Sequence, residues 1–247
     1  MITICMSYYN RKPLLLNTLI SIANSQYKNE VFIIIVDDGS NDEHRLFDED
    51  IPFPHKLINL RKEDKWWKNA AYPNNIALQA IPEQTDVVLL QNPENYHVGD
   101  VLAKTLTVKN SEYLAFACYY MLSHSKLISP LSSVTPAEFD KEGWTCHSKY
   151  KPNFLNYACA FTPSTLYKIG LFDSRFYNGV CFDDNEWVER IKHIGIDMLI
   201  CDDPYVKHQF HDRVHADQYL QLEDINRKVL HEIRTSNNYN WYSTGLH

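Results

Sequence analysis

Ile33-Ile34-Ile35-Val36-Asp37-Asp38-Gly39-Ser40-Asn41-Asp42 is the stretch that decides the fold. Four apolar residues in succession, with no polar alternation, describe a strand buried on both faces, as in a parallel sheet covered by helices. The run then enters two carboxylates and a Gly-Ser turn. In α/β proteins ligands bind outside the carboxyl ends of parallel strands, so Asp37 and Asp38 stand where polar groups of a ligand are read. The alternative for such acids is closure of their own loop, as Asp-Gly turns do. A second segment, Ile4-Cys5-Met6-Ser7-Tyr8-Tyr9-Asn10-Arg11, leaves a short strand in the same manner.

Further strands are expected at Ile2–Met6, Val31–Val36, Lys56–Leu60, Asp86–Gln91, Tyr113–Ala117, Leu155–Phe161 and Asp197–Cys201. Helical spacing appears at Leu15, Leu19 and Ile22, at Ala77 and Ala80, and at Val98, Val101, Leu102 and Thr105. Asp184–Ile194 reads as a helix. Ala216–Arg234 reads as a long one, with Leu222, Ile225, Val229 and Ile233 on its buried face. Strand and helix alternate, which predicts one α/β domain with a mostly parallel, Rossmann-like sheet flanked by helices and a C-terminal helix. The domain spans 1–234, with a ligand-binding half at about 1–120 and a second half at about 121–234. Residues 123–153 look like a long excursion and 235–247 like a polar tail.

The chain has 247 residues, enough for a substantial core and too few for two large domains. Its net charge of −7 gives nucleic-acid binding no electrostatic support. Aromatic residues make up 13%, which suits stacking on sugars or bases, although aromatics serve the core first. Six cysteines occur without a CxxC pair and read as buried thiols of a reducing compartment. No apolar run is long enough to span a membrane. The expected location is the cytoplasm, with any membrane contact peripheral.

Three more segments carry chemistry. Gln91-Asn92-Pro93-Glu94-Asn95 ends a strand with one carboxylate and one neutral amide, a weaker cation site than two carboxylates. Asp183-Asp184-Asn185-Glu186-Trp187 opens a helix, where acids also serve as caps. It follows Gly170-Leu171-Phe172-Asp173-Ser174-Arg175-Phe176. Val206-Lys207-His208-Gln209-Phe210-His211 offers two late histidines. Lys65, Trp66, Trp67 and Lys68 form a cationic and aromatic patch ahead of Asn74-Asn75.

In order and spacing, the S-Y-Y-N-R and V-D-D-G-S-N-D segments resemble the start of a family 2 glycosyltransferase of the GT-A fold. The resemblance extends over roughly residues 2 to 211. N-P-E at 92–94 stands where most GT-A enzymes have D-x-D, and the acids at 183–186 stand where many family members have E-D-x-D. The resemblance implies inverting transfer of a sugar from a nucleotide-diphosphate donor, UDP-sugar favoured, to a hydroxyl of a glycan, lipid-linked or protein acceptor. Ser7, Tyr9, Asp37 and Asp38 would hold the nucleoside, with Asp38 on the base and Tyr9 stacked on it. Glu94, Asn92 and His208, with His211 as second choice, would hold a divalent cation. One imidazole among oxygens favours Mn²⁺ over Mg²⁺. Asp184 would be the general base, and Trp144, His147, Asp183 and Glu186 would line the sugar and acceptor side. Two other readings stay open: a nucleotidyltransferase, disfavoured because Tyr8–Pro13 lacks glycine, and a non-catalytic nucleotide-sugar or glycan-binding module. The long C-terminal helix is a surface on which two copies could pair.

Overall fold

The computed structural model describes residues 1–120, 141–211 and 217–239. In chain order the elements are β1 (Ile2–Tyr8), α1 (Lys12–Ala23), β2 (Val31–Asp37), β3 (His55–Asn59), α2 (Ala71–Gln79), β4 (Val87–Gln91), β5 (Asn95–Val98), α3 (Val101–Thr105), β6 (Glu112–Tyr120), β7 (Trp144–Thr145), β8 (Ala158–Phe161), α4 (Pro163–Ile169), α5 (Asp183–His193), β9 (Asp197–His208) and α6 (Asp217–Ser236). One nine-stranded sheet has the order β3-β2-β1-β4-β8-β6-β9-β5, with β7 attached to β6. β3, β2, β1 and β4 are mutually parallel, and β6 and β9 share their direction, whereas β5, β7 and β8 run against it.

The apolar run of β2 is buried on both sides because successive side chains face opposite layers. Ile33 and Ile35 join Ile2, Ile4, Met6 and Leu89 beneath α1 and α3. Ile34 and Val36 join Cys5, Val88 and Leu90 beneath α2, α4 and α5. The sheet is thus a middle layer, and its carboxyl edge gathers the ends of β1, β2 and β4.

The structure departs from the expected pattern in three places. Val98 ends β5, an antiparallel strand against β9, and not a helix; Gly99, at φ +76°, breaks the chain before α3. β9 continues past Cys201 to His208: after a register shift, Cys118–Tyr120 of β6 pair with Val206–His208. On α6 the buried stripe contains Asn226, Leu230 and Ile233, while Ile225 is exposed. The excursion expected at 123–153 lies largely outside the described residues, as do 240–247 of the expected tail, and Ser236 still belongs to α6.

Candidate active site

Glu94 follows β4 in a turn closed by the Asn95 amide donating to the Asn92 carbonyl at 3.1 Å. The β5 that follows pairs Asn95 with His208. That register brings the two predicted ligand segments together. Glu94 Oε1 lies 3.1 Å from His208 Nε2 and 3.4 Å from His211 Nε2, and Arg11 Nη1 donates to it at 2.7 Å. Glu94 Oε2 is buried with no hydrogen-bond partner among the described residues. Burial alone would raise the Glu94 carboxyl pKa, but hydrogen bonds from His208 and His211 and the Arg11 charge hold it well below its ordinary value. A buried carboxylate with an orphaned oxygen beside two imidazoles fits a borderline divalent cation. One potential ligand atom from each of Glu94, His208 and His211 lies within 4.8 Å of the others. Both histidines therefore reach the centre. Asn92 is half-buried at the same turn and is tied in by its backbone, which donates to Tyr157 O at 3.0 Å.

Across the carboxyl edge, the two acids of the opening stretch have separate surroundings. Asp37 accepts from the Ser40 amide at 2.8 Å and closes the turn. Gly39 sits there at φ +78°, and an added Cβ would come within 3.0 Å of Lys62 Cα, so no other residue fits without strain. Beside this turn a cavity of about 470 Å³ is lined by Asp37, Gly39, Arg45, Asn59, Arg61 and Lys62. Asp38 points elsewhere. Its carboxylate accepts from Lys65 Nζ and from Trp67 Nε1, each at 2.6 Å. Burial raises its pKa, opposed by those two partners. Each oxygen keeps a lone pair for one further donor. Lys65 Nζ also lies 4.5 Å from the centre of the Tyr9 ring, which is 41% exposed. Ser7 is half-buried in β1 opposite Val36.

The third group opens α5. Asp183 accepts from Asn69 Nδ2 at 2.9 Å. Asp184 accepts from the backbone amide of its neighbour Asn185 at 2.8 Å. Burial, and then repulsion from Asp183, push the Asp184 pKa up to about 7; burial raises Asp183 as well. The approach to this pair is strained. Cys181 and Phe182 both adopt left-handed backbone angles, at φ 62° and 66°, which costs on the order of 1–3 kcal/mol each. Asn226 of α6, fully buried, holds the bend by donating to Phe176 O and Cys181 O at 3.0 and 2.9 Å. Gly179 permits that approach, because a Cβ there would collide with Asn226 Oδ1.

Two residues expected on the sugar side are placed differently. Glu186 is fully buried, and both its oxygens are taken by Arg190, which also donates to Ile169 O and Leu171 O. The pair anchors α5, since an ionised carboxylate one turn inside a packed helix needs a buried partner. Trp144 is 2% exposed and packs against Tyr119, His147 and Tyr205. Only His147 of that pair is half-buried, 3.5 Å from Asp202. Trp66, by contrast, is 55% exposed yet held edge-on by Trp67, Tyr72 and Tyr177.

Residues between these groups tie the Asp38 and Asp183 groups together and brace the histidines. The segment 65–69 touches Asp38 at one end and Asp183 at the other. Asn75, buried on α2, exchanges hydrogen bonds with both backbone groups of Phe172 and with Tyr177, fixing the run ahead of the acids. Tyr120 stacks on His208 at 4.5 Å, and Tyr157 lies edge-on to both. Burial raises the Tyr157 pKa against a hydrogen bond to Tyr120, and the Asp184 charge adds to the rise. Tyr157 thus packs against the histidine side of the candidate metal-ligand cluster, and its backbone carbonyl accepts from the Asn92 amide. Arg11, Asn69, Tyr157 and Asn226 are functional candidates that sequence reasoning misses. An Asn within the apolar stripe of α6 is the one available signal, for Asn226.

Residues 3–78 match the model of glycosyl transferase family 2. The matched segment holds Ser7, Tyr9, Asp37 and Asp38, and ends before Glu94, Asp184 and His208. Its solved structural relatives are GT-A glycosyltransferases, and the chain has the GT-A fold. One is a mannosyltransferase from Pyrobaculum calidifontis, solved with GDP-Man and Mn²⁺, with TM-score 0.58, 17% identity, and 96% of this chain and 64% of that one covered. An S. aureus TarS fragment gives TM-score 0.61 at 14% identity, covering all of this chain and 75% of that one. GalNAc-T7, solved with UDP, GalNAc and Mn²⁺, gives 0.64 at 12% identity, with 99% and 50% covered. This GT-A chain thus spans about two thirds of the mannosyltransferase and half of GalNAc-T7. No curated protein matches it. No helix among the described residues is long and apolar enough to cross a membrane.

Proposed function

We propose that this GT-A protein transfers a sugar from a nucleotide-diphosphate donor, a UDP-sugar first, to a hydroxyl acceptor with inversion at the anomeric carbon. The observation that carries the reading is the Asp183–Asp184 pair. It sits on a strained bend and shares the 65–69 segment with the Asp38 nucleoside contact. Asp38 takes the imide N–H of the base on a lone pair left by Lys65 and Trp67, and Tyr9 covers the base. Ser7 and Asp37 shape that wall. Glu94, His208 and His211, with the Asn92 amide at the same turn, hold a divalent cation, which when bound stabilises charge on the leaving diphosphate. Two imidazoles in the donor set favour Mn²⁺ over Mg²⁺. Asp184 takes the proton of the acceptor hydroxyl as it attacks, a task suited to a carboxylate whose pKa is near the working pH.

The acceptor approaches past Trp66, whose exposed, braced ring offers an apolar face to a sugar ring. Leu220 and Ile225, exposed on α6, supply the apolar face that pairing of two copies would use. Five of the six free thiols are buried, which fits a reducing cytoplasm. The test is a hydrolysis and thermal-shift screen of nucleotide-sugars with and without Mn²⁺. Stabilisation by one donor, slowly cleaved only with metal, supports the reading. No response to any nucleotide-sugar refutes it.

A further inference from the structure

Three basic side chains converge on one oxygen of a buried carboxylate, and one of them has a different origin from the others. His208 and His211 come from the end of β9 and the residues after it, and Glu94 from the turn between β4 and β5. Arg11 comes from the polar exit of β1 and caps the start of α1. Its guanidinium donates to Glu94 Oε1 at 2.7 Å, closer than either imidazole. The Arg11 side chain is 35% exposed and that of Glu94 is 3% exposed. A carboxylate this deeply buried requires a counter-cation. Arg11 supplies one, and its side chain, partly exposed beyond the end of β1, can withdraw its head without unpacking a strand. A divalent ion on Glu94, His208 and His211 would bring two positive charges to the oxygen that Arg11 holds, so the ion and the guanidinium compete. A planar fork freed beside a metal-held diphosphate matches phosphate oxygens better than any other side chain.

We propose that Arg11 is the resident counter-cation of the Glu94–His208–His211 centre, that metal entry displaces it from Glu94, and that the displaced guanidinium binds the diphosphate. This rests on the metal reading of the site. It makes metal and diphosphate bind cooperatively: metal alone works against the Arg11–Glu94 pair, whereas with diphosphate present the guanidinium has a second anion to hold. By linkage the coupling is reciprocal.

The experiment is a Mn²⁺ titration of the full chain followed by electron paramagnetic resonance, with and without inorganic pyrophosphate. Complexation of Mn²⁺ by pyrophosphate is measured separately without protein. Arg11→Met should bind Mn²⁺ alone roughly tenfold to a hundredfold tighter than wild type, the equivalent of one charge-assisted hydrogen bond. Pyrophosphate should strengthen Mn²⁺ binding to wild type, and by at least about tenfold less in Arg11→Met. Arg11→Lys keeps a point charge without the fork, so it should bind the ion alone about as wild type does yet lose most of the pyrophosphate enhancement. If Arg11→Met does not fold, Arg11→Lys decides: full enhancement in that variant overturns the proposal. Arg11→Met binding Mn²⁺ alone no tighter than wild type, with both binding, also overturns it and leaves the metal site standing. No Mn²⁺ binding by wild type in either condition, or undiminished binding by Glu94→Gln, removes the metal site itself.

Discussion

Replacing Asp184 by Asn should make the protein more stable at pH 8 while abolishing transfer. The Asp184 carboxyl is pushed from an ordinary 3.8 to about 7 by burial and by the neighbouring Asp183. A folded-state pKa above the unfolded one means that the fold disfavours the ionised form. Below about pH 4 both states are protonated and nothing is lost. As pH rises from about 4 to about 7 the unfolded chain ionises first, and stability falls; above about 7 the whole cost is present. At 1.36 kcal/mol per pH unit that gap amounts to about 4 kcal/mol. Asp184 is half-buried and shares its surroundings with Asp183, so solvent screening reduces the expected figure to about 2 kcal/mol. The amide oxygen of the substituted side chain still accepts from the Asn185 N–H, so Asp184→Asn removes charge and little else. For a chain of this size about 2 kcal/mol corresponds to a Tm roughly 4–8 °C higher. Calorimetry of wild type and Asp184→Asn from pH 4 to 9, without donor or metal, reads this directly. The variant should melt higher at pH 8 and with wild type at pH 4. A difference of the same size at both pH values, or a lower Tm at pH 8, refutes the argument. In the same variant donor binding should be nearly intact, and loss of binding as large as loss of turnover would refute the base assignment. Wild-type turnover should fall about tenfold per pH unit below about pH 7.

Three further outcomes are expected. His208→Ala should weaken Mn²⁺ binding by more than roughly a hundredfold, beyond what a lost outer-shell partner costs, and should remove any effect of metal on nucleotide affinity measured by calorimetric titration. Asn226→Ala leaves the carbonyls of Phe176 and Cys181 without their buried donor, so it should cost about 2 kcal/mol in chemical denaturation; kcat should fall further than KM rises, because the bend that aims Asp184 is released. Trp66→Ala should raise the acceptor KM roughly fivefold to tenfold while leaving donor hydrolysis unchanged, and Trp66→Phe should recover most of that loss.

The β2 run announces a buried parallel strand because burial on both faces leaves no alternation to interpret, and the acids after it mark the carboxyl edge. β5 is hidden for the opposite reason. It is four residues long, and its partner β9 lies more than a hundred residues on, so nothing local separates its Val98 from the apolar spacing of α3. Ile225 reads onto the wrong face of α6 because Asn226, not an apolar residue, occupies the buried position beside it. Glu186 reads as a sugar contact because an acid at a helix start looks the same whether it meets a ligand or an arginine one turn on; Arg190, with no exposure at all, settles which. Trp144 and Trp66 are the same residue type in equally polar surroundings, and only packing distinguishes a core ring from a presented one.

By itself the sequence determined which strands are covered, where their polar exits lie and which acids and histidines stand at those exits, since these follow from local periodicity and side-chain chemistry. Only the tertiary structure decided which exits meet. Arg11, Glu94 and His208 are separated by scores of residues and converge on one oxygen because β1 registers against β4 and β5 against β9. The raised pKa of Asp184 likewise arises from desolvation and a like-charged neighbour, quantities that exist only once the chain has closed around them.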